Sequence, residues 1–518
     1  MSNMSPASPS TIEGAAAYIA AIEKAFNSGD LQKVSTLIEH DFVTAWFGLL
    51  PSRFIEIVNT IRRDGGDVSP FIQFVAAFMT SPFPSTDGNT ELEDLAISVE
   101  GRGYPYDSFL SYARTLGLRV QGRSVEALEI ADELVAVNRV ASLFDSTMGW
   151  TLFTTVQHGV TAMLAGDFAA ALTSFTSARM HATIPSLGFF VRDACVKSAM
   201  IEALYGDPER ARGLLRELDH TPRTASWVED GTDALRTLIE AALEISDSYA
   251  ALEKIDDIPL NAVGEMWPFY IACLQRVMMR HGDNPEGNAR YQHYEGLPFP
   301  KVERQGVTAS VLPLWGAYIS IVHGNLDTAR ERLETADPNF PPVKLTLALI
   351  ELLHGRPREA LDIASELRPG IGGLRSLELQ RLGLVAAAQL QLGSVDGCRS
   401  AIKSVLSISG GLRSYEVVWF PEPVRELAEK EFKEWPKSTS TTSPAPGFRM
   451  FPAYQNRLTD RELEILRDLA KGLTREEIAK ADFVSINTVK GHLRGLYRKL
   501  GVTSRNAAVI EGERRGLL

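Results

Sequence analysis

The 518-residue chain has only three cysteines, Cys195, Cys273 and Cys398, too few and too scattered for a disulfide framework or a thiolate metal site. No run approaches the ~18 apolar residues that a membrane span requires. The N-terminal MSNMSPASPST lacks both basic residues and an apolar stretch, so residues 1–11 read as a disordered tail rather than a signal peptide. Gly-Lys occurs nowhere, which removes the phosphate-cradling loop G-x-x-x-x-G-K-[ST]. Also missing are H-E-x-x-H, G-x-S-x-G and any metal-spaced cluster, and the nine histidines are scattered from His40 to His492. The strand–helix alternation of a phospho-receiver domain is absent too. These absences argue against an enzyme, a cofactor or a metal, and they fit a reducing cytoplasm.

Length and composition allow several domains with large cores. The net charge of −12 is unevenly distributed. Residues 457–518 hold thirteen Lys+Arg against nine Asp+Glu, or +4, which leaves −16 for the rest. Between Asp482 and Glu511 stand five cations, Lys490, Arg494, Arg498, Lys499 and Arg505, and no acid. A basic patch closing an acidic chain suggests a localised polyanion-binding module. The stretch PKSTSTTSPAPG from Pro436 cannot bury enough surface to offset its ordering entropy, so residues 436–456 read as a linker.

Upstream, one phrase recurs: a glycine in a short loop, then alanine five residues later. It stands at Gly166/Ala171, Gly206/Ala211, Gly324/Ala329 and Gly355/Ala360, with weaker copies from Gly29, Gly122 and Gly393. The pentapeptide GGLRS at Gly372–Ser376 returns at Gly410–Ser414, 38 residues on, the same offset as Gly355 to Gly393. The spacing predicts helical hairpins: an apolar helix over 343–353, a left-handed cap at Gly355, Pro357 in the next first turn, and Ala360 at a close helix contact. Hairpins that bury their faces only against neighbours would stack as a solenoid. Over roughly 120–430 the pattern resembles tetratricopeptide-like repeats, although that family's Trp, Gly and Tyr signature is mostly absent; an irregular all-helical domain is the alternative. Residues 40–120 lack the phrase, while the apolar run from Phe71 to Met79 still predicts helix.

The C-terminal module is the most specific part. Thr459 with Glu462 and Thr474 with Glu477 have the spacing of capping boxes, Ser485 suits a third N-cap and Thr503 or Ser504 a fourth, and Gly472, Gly501 and Gly516 mark stops. Expected apolar faces are Leu463, Leu466, Leu469 and Ala470 in the first helix, then Ile478 and Ala479. In the third they are Val489, Leu493, Leu496 and Leu500. The third helix's opposite face carries Asn487, Lys490, Gly491, Arg494 and Arg498, polar or basic throughout. A short helix, a turn near Asp482–Val484 and a basic-faced helix are what a major-groove reader requires.

From Leu458 to Leu518 the module resembles the LuxR-type helix-turn-helix domain. The match is carried by Leu458, Thr459, Arg461, Glu462, Leu466, Gly472, Glu477, Ile478, Ala479, Thr488, Val489, Lys490, His492, Leu500, Gly501, Val502 and Arg505. The resemblance implies that the third helix is the recognition helix, with Lys490, Gly491 and Arg494 facing bases and Thr488, Arg498 and Lys499 near phosphates. Ser485, Asn487 and His492 complete the candidate DNA surface, His492 as a packing or phosphate-side residue. It also implies pairing through the last helix, around Ala507, Ile510 and Glu511. One departure is Asp482, where the family carries a buried leucine; Phe483 is expected to fill that gap, with Asp482 turned outward near Lys480. Large regulators with this domain often carry an upstream ATPase, which the missing phosphate loop argues against here.

The expected fold is therefore all-α, a tetratricopeptide-like solenoid over 12–435 joined by a flexible linker to a four-helix LuxR-type domain over 457–518. The expected partners are double-stranded DNA, a second copy of the chain on DNA, RNA polymerase, and an unidentified effector or protein at the repeats. The competing function is that of a repeat scaffold for protein–protein interaction.

Overall fold

The computed structural model describes all residues except 1–9, 65–68, 81–89, 102–105, 142–148, 182–183, 245–246, 280–284, 368–370, 372, 437–457, 459, 482–483, 501, 503, 515–516 and 518, and except the side chains of 79–80, 90–92, 137–141, 181, 285, 460, 487, 495, 498–499 and 514. The expected tail and linker thus lie almost wholly outside the described residues. The fold is all-α: among the described residues every regular element is an α- or 3-10 helix. None of these helices is long and apolar enough to cross a membrane. The chain divides into two compact units, one of residues 1–277, 298–311 and 370–376, the other of 278–297, 312–369 and 377–518.

The glycine phrase folds as a recurring turn between paired helices. Gly29, Gly122, Gly166, Gly324, Gly355 and Gly393 all take positive φ, between 75° and 89°. In each, the next residue's amide reaches back five positions to the preceding helix, as Asp167 does to the Ala162 carbonyl at 2.9 Å and Arg356 to Glu351 at 2.9 Å. This is the Schellman closure, which satisfies carbonyls at a helix end. The residue after glycine often caps the following helix: the side chains of Asp30, Asp167 and Ser394 accept from the amides of Lys33, Ala170 and Gly397. Five residues past the glycine the side chain is fully buried, whether Val34, Ala127, Ala171, Ala329, Ala360 or Cys398.

Gly206 departs from the pattern. Its φ is not positive, and a Cβ there would collide with the Glu202 carboxylate, which accepts from the Asp207 amide at 2.7 Å. This glycine serves close approach rather than a left-handed turn. The GGLRS copies also diverge: the first leads into the helix Arg375–Gln391, the second into the short 3-10 segment Ser414–Trp419.

The core of the first unit is rich in aromatic rings, with Phe42, Trp46, Phe109, Tyr112 and Phe153 in tilted or edge-on contact at centroid distances of 4.5–6.1 Å. Inside it lie charged pairs. Arg119 grips Glu265 with two bonds of 2.9 Å and also donates to Gln157 and Thr161. Arg192 donates to Glu229 at 2.7 Å and to the carbonyls of Leu218 and Thr221, while Glu229 accepts from the amide and hydroxyl of Thr224. In the second unit the buried Glu351 is paired with Arg330 and Arg356. Burial pushes the Cys195 thiol up to about 12 and Cys398 up to about 11, so neither is a reactive thiolate near neutrality.

Candidate nucleic-acid interface

The C-terminal module consists of helices Asp460–Ala470, Arg475–Ala481, Ile486–Leu500 and Arg505–Arg514. Local chemistry fixes the ends. Gly472, at φ 91°, donates to the Leu469 carbonyl at 3.0 Å, and Leu473 donates to Asp468 at 3.1 Å. Thr474 and Glu477 form the reciprocal box: the Thr474 amide donates to the carboxylate at 2.7 Å, and the Glu477 amide donates to the threonine hydroxyl at 3.3 Å. The Thr474 amide and then its hydroxyl, which donates to the same carboxylate at 2.9 Å, hold the Glu477 carboxyl below its ordinary pKa. Ser485 accepts from the Thr488 amide at 3.1 Å and Ser504 from Ala507 at 3.3 Å. Thr459, Thr503, Gly501 and Gly516 lie outside the described residues, so the first box is seen only through Glu462, which is buried.

The four helices close on Ile465, Leu466, Leu469, Ile478, Ala479, Val489, Leu493, Leu496, Leu500 and Ala508. The third helix buries the four residues expected of it. The first does not follow expectation fully: Ile465 is buried, Leu463 half-buried and Ala470 exposed. Its stripe is rotated because Glu462 faces inward beside Ile465 and Leu466, which leaves Ala470 at the outer edge.

With that seam packed, the opposite face of the third helix is turned to solvent. Ser485, Thr488, Lys490, Gly491 and Arg494 are exposed, and His492 is half-buried on the flank. A Cβ built on Gly491 would meet nothing within 4 Å. Among the described residues, no ion pair engages Lys490 or Arg494. The hydroxyl of Thr488 lies 2.8 Å from that of Ser485, so both take part in the cap. For Asn487, Arg498 and Lys499 only the helical backbone is described, and the expected placing of Asp482 and Phe483 falls outside the described residues. On the last helix Ile510 is 65% exposed, while Ala507 and Glu511 are half-buried.

One cation of the acid-free stretch has a structural role. Arg505 turns inward and donates to the Leu469 carbonyl at 2.8 Å, capping the end of the first helix. Sequence position alone counted it with the outward cations; its partner is 36 residues away.

Residues 456–511 match the model of a family described as bacterial regulatory proteins, luxR family. The C-terminal module is a LuxR-family helix-turn-helix domain. The same LuxR-type domain is 53% identical over 53 residues to a nitrate/nitrite response regulator protein homolog of Haemophilus influenzae, covering 10% of this chain and 26% of that protein. Its likeness to the nitrate/nitrite response regulator protein NarP of Escherichia coli is also 53% over 53 residues, 10% of this chain and 25% of that one. A putative HTH-type transcriptional regulator of Mycobacterium tuberculosis is 27% identical over 209 residues, 39% of this chain and 23% of the relative. That stretch exceeds the LuxR-type domain and therefore reaches into the helical body. In each case the chain spans about a quarter of the relative's length.

Proposed function

We propose that the protein is a cytoplasmic, sequence-specific DNA-binding transcription regulator. The observation that carries this reading is the third helix of the LuxR-type domain. Its buried seam leaves Lys490, Gly491 and Arg494 exposed on one face, without an ion-pair partner among the described residues. A helix of that width enters a major groove, where lysine and arginine pair with guanine edges and with phosphates. Thr488, Arg498 and Lys499 suit phosphates, Asn487 the base edges, and Ser485 and His492 border the surface. One small domain reads a short half-site, so two copies paired through Ala507, Ile510 and Glu511 would read a full operator. RNA polymerase is a further partner in this reading. The helical body, with its Schellman-closed hairpins and the 38-residue offset from Gly355 to Gly393, is read as tetratricopeptide-like repeats that sense an effector or protein.

The decisive experiment is operator binding by the full chain after selection from random duplexes. Lys490→Ala and Arg494→Ala are each expected to lose about 1–3 kcal/mol of specific binding at an unchanged melting temperature. Wild-type affinity in both variants would favour a repeat scaffold over a DNA reader. With about three phosphate-neutralising cations per subunit, a dimer should show a log–log salt slope of roughly −4 to −6, and a flat response would remove the electrostatic basis of the reading.

A further inference from the structure

We propose that the first unit is a superhelix whose successive turns meet along one seam every ten helices, and that the strained stretch 300–308 is the clasp through which this seam opens and closes. The inference concerns the body alone and stands whether or not the chain binds DNA. It gives the body two states, and an effector that binds one of them better shifts their balance.

Four contacts between residues far apart in the chain share one offset, counted over the described α-helices. The Ser186 amide, ahead of the eleventh helix, donates at 3.4 Å to the Ser10 carbonyl, ahead of the first. The Trp227 indole, ahead of the thirteenth, donates at 2.9 Å to the Trp46 carbonyl in the third. The stretch 300–308, which runs into the seventeenth, lies on residues 122–126, which follow the seventh; there the Gln305 side-chain amide donates to Glu126 at 3.1 Å. In the twenty-first, the Ser376 amide and hydroxyl donate at 3.1 and 2.7 Å to the Gly206 carbonyl, which follows the eleventh. All of these residues belong to the first unit. A return every ten helices in four places is what stacked hairpins produce when each is rotated by a similar step on its neighbour and one turn rests on the next.

The third crossing is the strained one. Arg304, at φ 64°, is the one non-glycine residue with positive φ among the described residues. Beside it Gln305 buries its Oε1 without a hydrogen-bond partner among the described residues. Opposite, a Cβ on Gly122 would stand 2.6 Å from the Lys301 Cα and 2.8 Å from the Pro300 carbonyl oxygen. A left-handed ordinary residue and a bare buried acceptor both cost free energy, and they persist where packing on either side imposes them. The second crossing carries no such strain, and there Phe47 stacks on Trp227 at 5.8 Å. The seam therefore parts first at the clasp, with the aromatic crossing as its hinge.

Hydrogen exchange on the full chain tests this. Ser376 stands in the first turn of its helix, where amides lack an intrahelical acceptor, so its protection reports the fourth crossing. Gly122→Ala drives a methyl into the clasp and should speed exchange at Ser376 about tenfold, while the Trp227 indole stays as protected as in wild type. Gly355→Ala strains the same kind of turn with nothing within 4 Å and should leave Ser376 unchanged. Arg304→Gly relieves the left-handed strain, offset in part by the freedom glycine gains on release, and should slow Ser376 about threefold. Arg304→Ala keeps the strain and should resemble wild type. The proposal is overturned if Ser376 ignores both Gly122→Ala and Arg304→Gly, since the crossings are then independent contacts. It is also overturned if Gly355→Ala speeds Ser376 equally or Trp227 loosens with it, since the whole body is then opening, or if Arg304→Ala slows Ser376 as much as Arg304→Gly. Should Gly122→Ala fail to fold, the two Arg304 variants decide.

Discussion

In the body, Arg119 and Arg192 have side chains 1% and 8% exposed, and carboxylates, carbonyls and hydroxyls take up their guanidinium hydrogens. In the LuxR-type domain, Lys490 and Arg494 are exposed and in no ion pair with a described residue. The same charge does different work in the two regions. Buried arginines fix which helices lie together, because a guanidinium bonded at several of its hydrogens is satisfied in one geometry and costly in others. Outward cations fix nothing within the chain and remain available to a polyanion. Charge counted along the sequence describes neither region; what matters is which hydrogens are already bonded.

The largest effect should come from breaking an inner pair. Glu229→Ala leaves the buried Arg192 with only the more distant Asp233 carboxylate at 3.6 Å and frees the Thr224 amide, so the body should lose about 3–5 kcal/mol in chemical denaturation. Operator binding by whatever remains folded should be unchanged. If stability barely moved, the inner pairs would be no more structural than the outer cations. Next is Arg505→Ala, which removes a charge-assisted bond to the Leu469 carbonyl and should lower the stability of the LuxR-type domain by about 1.5–3 kcal/mol. Below its melting point this variant should bind DNA nearly as wild type does, whereas loss of affinity without loss of stability would put Arg505 on the DNA side of the comparison. The smallest effects come from two glycines and should have opposite signs. Gly355→Ala forces a left-handed conformation on alanine and should cost about 1–2 kcal/mol of body stability. Gly491→Ala should stabilise its helix by up to about 1 kcal/mol while weakening DNA binding, since the added methyl meets open space here and would meet a base edge in the proposed complex. Equal and destabilising effects would show that Gly491 is a structural glycine like Gly355.

Sequence reading succeeded where the chemistry is local. The Gly355 turn, the Thr474–Glu477 box and the Ser485 cap are each complete within six residues, and the spacing of Val489, Leu493, Leu496 and Leu500 identifies the buried seam. It failed where partners are distant. Arg119 meets Glu265 across 146 residues and Arg192 meets Glu229 across 37, and neither pair has a local signature. Arg505 was indistinguishable from its basic neighbours because its acceptor is a backbone carbonyl, which no side chain marks. The inward Glu462 hid the true stripe of its helix, since a carboxylate is not scored as a core residue, and the exposed Ala470 is the resulting error. Gly206 is spaced like the turn glycines, although the Glu202 carboxylate, not a left-handed φ, requires it.

The grip of Arg505 on Leu469 has a mechanical side as well. It ties the first residue of the fourth helix to the last turn of the first, with the third helix packed against both through the shared core. Under the proposed pairing at Ile510, this tie is expected to pass a torque applied there on to the first helix. Two such domains held together at that face would behave as calipers with stiff arms. The span between their recognition helices would be set by the domains themselves, and DNA with half-sites one base pair too near or too far would be refused by the gauge of the instrument, however well each half-site matched.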